Sequence, residues 1–107
     1  MARKLLFTGD YIILRPTTND FFSDDIKKTI SEHNIVCCNL EGPIIKKDFK
    51  KKIKIGLPLA NNAEDVKYLI QNKFNLFCLA NNHIFDYGND GIRNTIEFLD
   101  SNNVQHI

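Results

Sequence analysis

No apolar run in this sequence approaches the length a membrane-spanning helix needs, about 18 residues. The longest, at residues 35–38 and 74–80, stop far short of it, so no segment of the sequence is expected to cross a bilayer. The start, Met1-Ala2-Arg3-Lys4, leads into a short apolar stretch that Thr8, Gly9 and Asp10 interrupt, without the longer apolar core and small-residue cleavage site of a secretory signal. A cytoplasmic location is the expectation. Cysteine is scarce and odd in number: Cys37 and Cys38 are adjacent, and Cys78 sits inside an apolar run. That pattern argues against a disulfide framework and for buried free thiols in a reducing compartment, and it lacks the spacing of a zinc site. An excess of one charge is missing as well. Lys and Arg number 14 against 13 Asp and Glu, net +1, so no global field draws the chain to nucleic acid or to a membrane surface. Internal repeats and low-complexity linkers are absent too.

What remains is one domain's length, 107 residues, with 43% hydrophobic and 25% charged residues, a composition that excludes disorder. Along it apolar strands, polar turns and amphipathic helices alternate. A strand is expected from Lys4 to Thr8, ended by Gly9-Asp10, with Tyr11 to Leu14 either extending it or forming a loop that Pro16 closes. Ser23 can cap a helix running to about His33, with Asp24 and Asp25 in its first turn and Ile26 and Ile30 on its core face. Residues 35–39 read as a parallel strand covered on both sides. After Glu41-Gly42-Pro43 comes a basic excursion, with a short strand expected around Ile53 and Ile55 and Pro58 closing it. Asn62 caps a helix to about Asn72, and residues 74–80 form a third buried strand. A last helix opening at Asn89 or Asp90 presents Ile92, Ile96 and Leu99 to the core, and Val104 starts a fourth strand.

Parallel strands joined by helices imply right-handed crossovers and an α/β sheet whose ligand site lies beyond the carboxyl ends of the strands. Three loops meet that description. They carry Asp10, then Asn39 and Glu41, then Asn81, Asn82, His83 and Asp86. Carboxylates, amides and an imidazole converging on one rim are ligands that suit Mn, Mg, Zn or Fe. The other reading is that each residue only turns or caps its own loop. His33, near a helix end, and His106, near the carboxyl end of the sequence, lack polar neighbours of this kind and read as structural.

The residues Leu6-Phe7-Thr8-Gly9-Asp10, Asn39-Leu40-Glu41-Gly42-Pro43 and Leu79-Ala80-Asn81-Asn82-His83-Ile84-Phe85-Asp86-Tyr87-Gly88 resemble, in order and spacing, the CapA family. These are bacterial capsule-synthesis proteins associated with poly-γ-glutamate, within the calcineurin-like metallophosphatase superfamily. The resemblance implies a βαβαβα unit over residues 1–107, the amino-terminal part of a β-sandwich flanked by helices and four-layered when complete. It implies a divalent metal held by Asp10, Glu41 and the Asn82 amide oxygen. His83 would then act on the substrate with Asp86 holding its ring or bracing the turn, and Asn39, Asn81, Lys46 and Lys47 would meet a phosphoester or anionic polymer.

Two departures stand beside the resemblance. Many metallophosphatases carry a histidine two residues after the first aspartate, where this sequence has Ile12, and the superfamily's later histidines have no counterpart here. A carboxy-terminal half would supply them, so residues 1–107 alone are expected to be poorly stable and hydrolytically silent. The lysines Lys46, Lys47, Lys50, Lys51, Lys52 and Lys54 read either as a solvated face or as point charges for a polyanion. Without interleaved aromatics other than Phe49, nucleic acid is not the expected partner. Against the metal-dependent hydrolase stand a non-catalytic polyanion-binding or assembly factor of the same fold and a plain flavodoxin-like half-domain.

Overall fold

The computed structural model describes residues 2–13, 20–52 and 56–107. The strand expected around Ile53 and Ile55, and the closure at Pro16, lie outside the described residues, as does Lys54. Two helices begin at the side chains that the sequence offers as caps. The Ser23 hydroxyl accepts the Ile26 N–H ahead of α1 (Asp24–Ser31), and the Asn62 amide oxygen accepts the Asp65 N–H ahead of α2 (Ala63–Gln71). The third, α3 (Gly88–Ser101), starts slightly earlier than expected and without a side-chain cap. Its opening continues a loop that is already wound, where Asp86 N–H donates to His83 O and Gly88 N–H to Phe85 O.

The strands β1 (Leu5–Tyr11), β2 (Ile35–Leu40), β3 (Leu76–Cys78) and β4 (Gln105–His106) form one parallel sheet in the order β1-β2-β3-β4. Gly9 does not end β1. At φ +90° it absorbs an irregularity in register between Phe7 and Asp10, after which pairing resumes with Asp10 opposite Asn39 and Tyr11 opposite Leu40. Strand β3 is shorter than the apolar run that contains it, because Phe74 N–H still bonds Leu69 O at the end of α2.

Right-handed crossovers between strands taken in this order carry all three helices to the same face. The burial pattern agrees. Val36, Cys38, Leu40 and Phe77 are buried with Ile30, Val66, Leu69 and Leu99 in one core. On the alternate positions, Leu5 is 53% and Phe7 70% exposed. These exposed residues belong to the edge strand β1; in β2 the alternate-face residue Cys37 is 2% exposed, so at its centre that strand is buried on both faces as expected, and the openness is confined to the edge.

The core face of α3 is also rotated from the one the sequence suggested. Its buried residues are Gly88, Gly91, Thr95 and Leu99, while Ile92 and Ile96 flank them. The excursion after β2 sets this rotation. Pro43 packs against Gly91, so that a Cβ there would stand 3.2 Å from the Pro43 ring, and the Thr95 hydroxyl accepts the Ile44 N–H at 2.8 Å. On α1, Ile30 is buried as expected, but Ile26 is 47% exposed and lines an open apolar groove of about 410 Å³ with Leu6, Tyr11, Phe22 and Phe74.

The three cysteines are free thiols, with Cys37 and Cys38 buried as expected and Cys78 partly so. Burial pushes the Cys38 thiol up to about 12, and burial together with the contact to the Cys78 sulfur at 3.5 Å pushes Cys37 up to about 11. Unfolded thiols ionise near pH 8.5. Above that value the unfolded chain holds fewer protons than the folded one, so stability falls as pH rises, by at most about 1.4 kcal/mol per pH unit for each thiol. The urea midpoint is expected to be lower near pH 10 than near pH 8, with a shallower fall in Cys38→Ala; a midpoint independent of pH over this range would contradict it.

Candidate functional site

The register of the sheet lays three strand ends side by side. Asp10 follows the Gly9 irregularity and sits opposite Asn39, Glu41 follows the last residue of β2, and the loop 81–87 follows β3. This is the rim where ligands meet parallel sheets.

Hydrogen bonds join these residues into one cluster. The Asn39 amide nitrogen donates to Asp10 Oδ1 and to Glu41 Oε2, both at 2.8 Å. Asn81 donates through Nδ2 to Asn39 Oδ1 at 3.2 Å and to Leu40 O at 2.7 Å, while its Oδ1 accepts the N–H groups of Gly42 and His83. All four hydrogen-bonding positions of that amide are therefore occupied by protein. His83 Nδ1 lies 2.7 Å from Asp86 Oδ2, and His83 Nε2 lies 3.8 Å from Glu41 Oε1. Asp86, 2% exposed, also accepts the Leu59 N–H through the same oxygen at 2.8 Å. A carboxylate only accepts, so this contact assigns the proton to Nδ1 and turns Nε2 toward the Glu41 side.

The chain between Glu41 and Asn62 returns to support this arrangement. Asn61 donates to Glu41 O, Ile45 N–H to Asn61 O and Lys52 N–H to Asp86 O. Gly42, at φ +81°, passes so close to Leu59 that a Cβ would stand 2.7 Å from the Leu59 carbonyl oxygen. These backbone partners of Asp86 and Glu41 carry no local sequence signal, since each arrives from a segment remote in sequence.

The residues singled out in the sequence divide in three. Asp10, Asn39, Glu41, Asn81, His83 and Asp86 share the cluster. Asn82 is exposed on the loop, and among the described residues its amide makes no hydrogen bond to the others. Lys46 and Lys47 are exposed on the excursion and outside the cluster. It is Lys50, Lys51 and Lys52 that line an open cleft of about 610 Å³ with Tyr87, Gly88 and Asn89, and Lys52 Nζ lies 5.5 Å from the centre of the Phe85 ring. His33 contacts Thr29 O of its own helix, and His106 contacts Asp100.

The donor set can be weighed against a divalent cation. Among the described residues no lysine or arginine pairs with Asp10 or Glu41, and His83 is the one basic side chain in contact with Glu41. Nor does a group of three or more His, Cys, Asp or Glu converge to hold an ion among the described residues. A closed structural zinc site needs four such ligands. Two carboxylates match instead a hard cation that keeps most of its water, as magnesium does.

A four-stranded parallel α/β sheet with an acid, amide and histidine cluster on its carboxyl rim defines the class. Over residues 4–107 the chain matches the family of the bacterial capsule synthesis protein PGA_cap, and it belongs to that family. No individually curated protein matches it.

Proposed function

We propose that this domain contributes Asp10, Glu41 and His83 to metal-dependent hydrolysis of an anionic substrate, a phosphoester or a carboxylate polymer, in capsule synthesis, as a member of the metallophosphatase superfamily. The observation that carries the reading is the pairing of Asp10 and Glu41 through one Asn39 amide, with His83 Nε2 beside the Glu41 carboxylate. Asp10 and Glu41 are the residues that would hold the cation. When bound, such an ion supplies positive charge against the developing anion and acidifies nearby water. With its proton at Nδ1 against Asp86, His83 would exchange a proton with the reacting group through Nε2, on the Glu41 side, and Asp86 would stabilise the imidazolium. The lysines of the cleft beside the loop 81–87 support an anionic substrate through their positive charge.

The test compares two substitutions. Asp10→Ala is expected to lower manganese affinity at least about tenfold in calorimetric titration, and His83→Ala to leave it within about twofold. In a homologue carrying these motifs and the superfamily's later histidines, His83→Ala is expected to reduce phosphodiester hydrolysis more than cation occupancy. Equal loss of manganese in both variants would make His83 a ligand, and hydrolysis indifferent to both would remove the hydrolase reading. A cation-loaded homologue that binds polyanion without turnover would favour the assembly factor.

A further inference from the structure

The geometry points to Asn39 and Asn81 as positioning residues that aim the carboxylates of Asp10 and Glu41 at the cation, and not as substrate-binding amides. The inference rests on the cation reading above and deepens it. Each carboxylate gives one oxygen to Asn39 Nδ2, namely Asp10 Oδ1 and Glu41 Oε2. That leaves Asp10 Oδ2 and Glu41 Oε1 as the oxygens not bonded to Asn39, and Glu41 Oε1 is the one 3.8 Å from His83 Nε2. The oxygens that Asn39 does not engage thus carry the charge a cation would meet, and one of them stands beside the histidine nitrogen.

Asn81 dictates which way the Asn39 amide points. Its Nδ2 donates to Asn39 Oδ1, so a flipped Asn39 would set two NH₂ groups against each other and aim its own oxygen at two carboxylates. Asn81 cannot turn to accommodate such a flip without abandoning the Gly42 and His83 N–H groups, which its Oδ1 accepts at 3.3 and 3.1 Å. One amide thus connects the end of β2, the carboxylate pair and the histidine loop. A residue that orients the ligands of a metal changes its affinity by about 10–100-fold when removed.

The test uses the whole 107-residue chain with magnesium or manganese ions as the probe. Asn39→Leu, matched in size and unable to donate, is expected to weaken cation binding by about 10–100-fold while circular dichroism keeps the helical signal of the unmodified chain. The second measurement needs no variant. In the unmodified chain the Asn39 side-chain amide protons are expected to shift when magnesium is added and to remain protected from exchange with water, since the clamp persists under the ion. Unchanged or tighter binding in Asn39→Leu would overturn the inference and leave the cation site standing. So would loss of amide protection on adding magnesium, which would put Asn39 in the ion's way. A chain that takes up neither ion would reject the cation reading itself, and the positioning role with it.

Discussion

Gly42→Ala is expected to destabilise the chain by about 2–4 kcal/mol, because two independent penalties fall on one methyl group. The backbone there has φ +81°, in the left-handed region that a side chain disfavours by about 1–2 kcal/mol. The added Cβ would also stand 2.7 Å from the Leu59 oxygen and 3.0 Å from its carbon, both backbone atoms that no rotamer change can move aside. Gly9→Ala separates the two penalties. Gly9 has φ +90° and nothing within 4 Å of the built Cβ, so only the conformational strain applies. Urea denaturation checks both, with a clearly larger fall in midpoint for Gly42→Ala. Since Gly42 N–H donates to Asn81 and follows Glu41, the same substitution is expected to weaken cation binding in whatever fraction stays folded. Equal, small shifts in the two variants would show that the excursion moves freely away from Leu59.

Asp86→Ala is the second large effect, and it is expected to divide between stability and chemistry. Removal of this buried carboxylate takes the acceptor from the Leu59 N–H and from His83 Nδ1, at about 1–3 kcal/mol for a buried donor left without a partner. Cation binding, proposed to depend on Asp10 and Glu41, is expected to stay within about twofold. The signature lies in the His83 ring, where nitrogen NMR should show the Nδ1-protonated form giving way to a mixture of tautomers. Asp86→Asn, similar in size, should give the same tautomer change with less loss of stability. An unaltered ring signal in both variants would mean that Asp86 braces the loop and does not orient the histidine.

Both effects turn on contacts that a linear reading sees unequally. The caps Ser23 and Asn62 and the loop from Asn81 to Asp86 were legible because their partners lie within a few residues. Convergence of Asp10, Glu41 and His83 was legible one step further, since parallel strands with right-handed crossovers leave their carboxyl ends on one rim. Three features were not. Gly9 was read as a strand terminator, whereas its positive φ allows β1 to resume, and that places Asp10 in register with Asn39. The rotation of α3 toward Gly91 and Thr95 depends on Pro43 and Ile44, about fifty residues earlier, which hydrophobic periodicity within a helix does not encode. The bonding of Asn39 to Asn81 is the third, since the resemblance implied only that both amides would meet the substrate. Only the hydrogen-bond geometry shows that their polar atoms already serve the protein.

The measurement that bears most directly on the central claim, a cation site built by Asp10 and Glu41 on the carboxyl rim, is paramagnetic broadening of the amide NMR spectrum by substoichiometric manganese. The site described here predicts that the signals of Asp10, Asn39, Glu41 and His83 broaden first, ahead of the exposed acids Asp24 and Asp25 on α1, and that Asp10→Ala removes this preference. Broadening that begins at Asp24 and Asp25, or that is the same in the chain with and without Asp10, would contradict it.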